Sequence, residues 1–161
     1  MIVLFAIAVL IPLLLNGVAS RFDFRGFVDA FGLSVMVLMF WALTNVMAAL
    51  LEPPASKALH PLIDFIGLSI CIITWRSHKE WFKLALAGLF LVQMGLHATF
   101  WVEWATQPHG SLLYTYALTL NITWLMELVV LALPGGGYVV GRAIDWGIRD
   151  RRVHHRAGHL G

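Results

Sequence analysis

Asp64 and His97 are the residues of this chain best placed to do chemistry. Each interrupts a long apolar run, Pro61 to Trp75 (PLIDFIGLSICIITW) and Trp81 to Trp104 (WFKLALAGLFLVQMGLHATFWVEW). A carboxylate beside an imidazole can pass a proton or hold a cation, and polar groups are costly inside a bilayer. Counted inward from the outer boundary at 1.5 Å per helical residue, Asp64 lies roughly one turn deep and His97 roughly one and a half. Asn45, on the preceding run, falls at a similar depth, and Gln93 lies one turn from His97 on the same helix face. Asn45, Asp64, Gln93 and His97 are therefore expected to meet as an intramembrane polar cluster. Its use is either a proton relay or cation site, or a hydrogen-bonded clasp between helices.

A second pattern runs through Ser111, Thr115, Thr119, Thr123 and Glu127 at steps of four. That spacing gives a slowly winding stripe on a helix of 3.6 residues per turn. The hydroxyls can bond to carbonyls one turn back, whereas a charged Glu127 would need a partner or water. Thr115, Thr119, Thr123 and Glu127 either line a pore or face another subunit. Asp29 follows Arg25 by one turn and is expected to pair with Arg25 or Arg21. Val28–Ser34 and Ile63–Ser69 share the pattern D-x-x-G-L-S. Two such segments on oppositely directed helices would suit an inverted repeat, and their glycines equally suit close helix approach.

Several chemistries have no foothold. There is no glycine-rich phosphate loop, no H-E-x-x-H and no G-x-S-x-G elbow, so the chain reads as non-enzymatic. The single cysteine, Cys71, excludes an internal disulfide and a cysteine-based zinc site, and its place in mid-run suggests a buried thiol. A net charge of +2 is too small for nucleic-acid binding. Haem ligation by His97 and a second histidine is a third reading for the cluster, but no cofactor and no metal are expected.

The elements that must carry these residues are membrane helices. Of 161 residues 60% are hydrophobic and 12% charged, about half the charged share of a soluble domain. The apolar runs predict an all-α polytopic bundle of five transmembrane helices with short loops, at about 1–20, 26–51, 58–75, 81–102 and 111–133. Glu52-Pro53-Pro54 should end the second span, Pro108 and Gly110 should mark the turn after the fourth, and Pro134-Gly-Gly-Gly137 should break the fifth. Residues 1–137 form the bundle and 138–161 a basic tail. All of the eleven lysines and arginines except Lys57 then fall on one side, with Arg76, Lys79 and Lys83 in the turn of the central hairpin. This places the amino terminus outside and the carboxyl terminus in the cytoplasm of a bacterial-type inner membrane. Gly17-Val-Ala-Ser20 also resembles a cleavage site. Trp75, Trp81, Trp101 and Trp104 fall at the interfaces, and Trp41 and Trp124 within the bundle.

Past Gly137, Val139, Val140, Ala143, Ile144 and Ile148 recur opposite Arg142, Asp145 and Arg149. This predicts a short amphipathic helix lying on the cytoplasmic leaflet. Arg149, Arg151, Arg152 and Arg156 form a basic patch for anionic lipid, worth about 1 kcal/mol per charge.

Five spans in a chain of this length are similar in layout to tryptophan-rich sensory proteins, whose proline- and tryptophan-rich signatures are absent here. The tiny loops and basic tail resemble small phage membrane proteins, including holins. These features imply a small membrane protein acting through helix association, holin-like or an accessory subunit, with a homo-oligomer or another membrane protein as partner besides the lipid bilayer. The alternative is a small proton- or ion-linked transporter or channel that uses Asp64, His97 and Glu127.

Overall fold

The computed structural model describes residues 2–51, 58–106 and 112–157. Within them the chain is helical: α1 (Ile2–Phe22), α2 (Phe24–Leu50), α3 (His60–Ser77), α4 (Trp81–Thr106) and α5 (Leu112–Ala157). Three helices are long and apolar enough to cross a membrane, over Phe24–Leu50, Trp81–Glu103 and Thr115–Trp146. Ile7–Phe22 is a shorter apolar stretch. α3, with His60 and Asp64 at one end and Arg76 at the other, is not among the three. Glu52-Pro53-Pro54, Lys57, Pro108, Gly110 and Ser111 lie outside the described residues.

The described turns, α1–α2 and α3–α4, are tight and built from local polar groups. Asp23 alone separates α1 from α2, and its carboxylate accepts from Gly26 N–H at 3.0 Å, capping the first turn of α2. α3 starts on Pro61, which suits a first helical turn because no donor is lost there. It ends at His78, whose extended backbone leads through Glu80 into α4.

The fifth helix corrects the sequence reading. Pro134-Gly-Gly-Gly137 does not break it, and α5 runs unbroken for 46 residues through Pro134 to Ala157. The expected separate tail helix is its continuation, and the backbone at Arg149, Arg151, Arg152 and Arg156 belongs to it. A proline removes one backbone donor, and in a bundle a neighbouring helix can offset that loss. The carbonyl that Pro134 leaves without its helical donor is that of Val130; Asn16 of α1 donates from Nδ2 to the next one, Leu131 O, at 2.8 Å. Gly135 lets α1 come close enough to do so. A methyl group on it would sit 2.6 Å from the Leu15 carbonyl carbon and 2.7 Å from Asn16 N.

The helices close a ring in which each packs on the next and α5 returns to α1. α2 also touches α5, dividing the ring into a triangle, α1–α2–α5, and a quadrilateral, α2–α3–α4–α5. The triangle is tied by Asn16, which donates to Ser34 Oγ at 3.0 Å as well as to Leu131 O. Inside the quadrilateral, α4 presents one continuous buried face: Phe82, Lys83, Leu86, Ala87, Phe90, Gln93, His97 and Phe100 recur at steps of three and four. Cys71 is fully buried on α3, and Trp41 and Trp124 pack against the core.

Because lipid is as apolar as leucine, such a bundle is held by close packing and internal hydrogen bonds rather than by hydrophobic burial. Gly67 shows the fit. A methyl group added there would lie 2.6 Å from the Phe90 ring, which in turn meets Phe40 edge-on with centroids 6.4 Å apart. Gly67→Ala is expected to destabilise the bundle by about 1–3 kcal/mol, since the ring must move. Unfolding in detergent checks this, with Gly88→Ala as the control, because nothing lies within 4 Å of a methyl group at that site.

Candidate functional site

At the end of the quadrilateral away from the α3–α4 turn, three helices contribute one polar chain. Asp64 comes from the beginning of α3, His97 from the last third of α4 and Tyr116 from the beginning of α5. His97 Nε2 lies 2.9 Å from Asp64 Oδ2, and Tyr116 Oη lies 2.6 Å from His97 Nδ1. All three residues are buried. The imidazole thus lies between the Asp64 carboxylate, in ion-pair contact on the Nε2 side, and the Tyr116 hydroxyl, hydrogen-bonded on the Nδ1 side. Rings fix the geometry. His60 stacks parallel on His97 with centroids 5.6 Å apart, and Phe100 stacks on Tyr116 at 4.5 Å.

An imidazole held between a carboxylate and a phenol can accept a proton on one nitrogen and release it from the other. Both nitrogens of His97 are engaged here. Haem ligation by this residue would require one of these contacts to break.

Gln93 and Glu127 lie deeper in the same interior, and both are fully buried. Neither the Gln93 amide nor either Glu127 carboxylate oxygen has a hydrogen-bond partner among the described residues. Of the threonine stripe, Thr115 is exposed, Thr119 half-buried and Thr123 buried, so the stripe winds into the bundle toward Glu127. Thr119 and Thr123 donate to the carbonyls of Thr115 and Thr119, one turn back, at 2.8 and 2.9 Å.

The structure thus brings Asp64 and His97 together, with Gln93 on the same buried face of α4. It does not bring Asn45 to them. Asn45 is exposed and its Nδ2 donates to Trp41 O of its own helix at 2.7 Å. Depth along a helix does not specify direction around it. The buried residues of α2 are Ala30, Leu33, Ser34 and Val37, and that face leads on to Trp41 rather than Asn45.

A second polar centre at the α3–α4 turn corrects the pairing of Asp29. Its partner is Lys83 of α4, with His78 Nδ1 at 3.3 Å, rather than Arg21 or Arg25. Lys83, placed in the turn by its charge, is a fully buried helical residue. Its ammonium also meets Glu80 Oε2 at 2.9 Å and the carbonyls of His78 and Thr74 at 3.1 and 3.3 Å. The two D-x-x-G-L-S aspartates therefore each face a basic residue of α4, at opposite ends. Their glycines differ, however: Gly67 is packed under Phe90 and Gly32 faces open space.

Tyr116, Lys83 and Asn16 are the polar residues that sequence reasoning missed. Lys83 was legible in principle, as it continues the three-and-four spacing of Leu86, Phe90, Gln93 and His97. Asn16 was visible as the one amide in the first apolar run. Comparison of the chain with protein families, curated proteins and solved structures finds no match.

Proposed function

We propose that the chain is a five-span integral protein of a bacterial-type inner membrane, amino terminus out, that binds and moves protons through Asp64, His97 and Tyr116. The observation that carries this reading is the sequence of carboxylate, imidazole and phenol, in contact at 2.9 and 2.6 Å and buried where three helices meet. Titratable groups inside a membrane bundle mark ion and proton routes. Asp64 of α3 and Gln93 and His97 of α4 are buried, as a route within one bundle requires. The orientation rests on the distribution of lysine and arginine.

The test is proton flux into liposomes carrying the purified protein and an internal pH dye, driven by an imposed potential. Wild type is expected to exceed empty liposomes clearly. Asp64→Asn, His97→Gln and Tyr116→Phe should each lower the rate by about tenfold or more, the scale on which a positioned acid or base contributes. Wild-type flux no greater than that of empty liposomes would end the proposal.

Helix association, holin-like or with a partner subunit, is the second reading. It is supported by α2, whose last turns carry Leu43, Val46 and Leu50 at 46%, 52% and 77% exposure. Cross-linked size in native membranes and abrupt depolarisation on induced expression would favour it.

A further inference from the structure

Two fully buried side chains take no part in the Asp64–His97–Tyr116 chain: Gln93 and Glu127. Between them four polar atoms, the amide oxygen and nitrogen and both carboxylate oxygens, lack a hydrogen-bond partner among the described residues. Native interiors rarely leave such groups unmet, and where they occur a bound water, an ion or a catalytic role usually explains them. An ionised carboxylate with no donor and no cation beside it is the costliest of these cases.

Their depths are ordered. Contact between His97 and Tyr116 sets the register of the antiparallel α4 and α5. From that level toward the α3–α4 turn, Gln93 lies about 6 Å inward along α4 and Glu127 about 16 Å inward along α5, at 1.5 Å per residue. Gln93 is thus intermediate between the imidazole and the deeper carboxyl. At the same rise Phe90 lies about 10 Å inward, between Gln93 and Glu127, Leu86 is level with Glu127, and Lys83 follows at about 21 Å.

We propose that Glu127 is a proton-binding site in the middle of the bundle, reached from Asp64, His97 and Tyr116 through water bonded to Gln93. The ligand is a proton rather than a metal cation, because a neutral carboxyl needs no counter-charge. The route rests on the proton-linked reading above, whereas the site itself can be tested without transport. The groups that set its titration are Asp64 and Cys71 from α3, Lys83 and His97 from α4, Tyr116 on α5 itself and, paired with Lys83, Asp29 from α2. α1 faces the bundle with the amide of Asn16.

The experiment is infrared spectroscopy of the purified full-length protein in lipid films, titrated from mildly acidic to alkaline pH. A protonated carboxyl has a carbonyl stretch above the amide bands. The expected result is such a band at neutral pH that fades as the pH rises, is absent in Glu127→Gln and persists in Asp64→Asn. A Glu127→Gln spectrum identical to wild type in this region overturns the site, whether or not wild type carries flux. Gln93→Leu should keep the band while cutting proton flux by about tenfold. Unchanged flux in that variant overturns the role of Gln93. A wild type with the titrating band but no flux leaves the site standing and removes the transport reading instead.

Discussion

Gly135→Val is expected to loosen α1 from α5 and destabilise the protein by about 3 kcal/mol, the upper end of ordinary overpacking. The reason is the kind of atom a side chain would meet there. A methyl group at Gly135 would strike backbone, the Leu15 carbonyl carbon at 2.6 Å and Asn16 N at 2.7 Å, neither of which can rotate aside. The displaced α1 would also withdraw Asn16 from Leu131 O and Ser34 Oγ, leaving buried groups unpaired. The neighbouring glycines provide internal controls. A methyl group at Gly136 would find only the Leu15 side chain at 3.7 Å, and one at Gly137 nothing within 4 Å. Gly137→Ala should therefore be neutral or stabilising by up to about 1 kcal/mol, because alanine is the better helix former. Unfolding in detergent, read alongside cross-linking of cysteines placed in α1 and α5, separates these outcomes. Equal effects at positions 135 and 137 would show that close approach is not what Gly135 provides.

Lys83→Met is expected to cost about 2–4 kcal/mol. Removing one partner from a buried ion pair usually costs about 3–5 kcal/mol, and the figure is reduced here because Asp29 keeps 26% of its side chain in contact with its surroundings. The ammonium joins three elements at once: Asp29 of α2, Glu80 of the turn, and the carbonyls of Thr74 and His78 that close α3. Methionine matches its bulk but offers no donor. The change therefore frees α2 from the hairpin and uncaps α3 together. Asp29→Asn should cost less, about 1 kcal/mol, since Lys83 retains Glu80 and both carbonyls. A thermal unfolding series in one detergent checks the order. Asp29→Asn as damaging as Lys83→Met would mean that the α2 contact, and not the ammonium's whole set of partners, dominates.

The depth of polar residues was legible in the sequence; their direction was not. Asp64 and His97 meet because residues on antiparallel helices, counted from a common boundary, must come level. Asn45 is also level with them but points elsewhere, and a helix that is apolar on all sides carries no periodicity to say so. Lys83 was misplaced because a cation near a turn ordinarily reaches for water, whereas here Asp29 and Glu80 wait for it inside. The continuity of α5 was hidden for a related reason. Proline and glycine end an isolated helix, but here that stretch packs against Leu15 and Asn16, some 115 residues away in the chain, which no local pattern announces.

The length of α5 has a mechanical consequence. At 1.5 Å per residue its 46 residues span about 69 Å, more than twice the thickness of a hydrocarbon layer of about 30 Å. The Asn16 clasp grips this rod near Leu131 and Gly135, and Tyr138 and Arg142 still meet the rings of Phe22 and Phe27 farther along. Beyond Arg142 the helix runs on for about 22 Å, and tilting that segment by about ten degrees would swing its tip by roughly 4 Å.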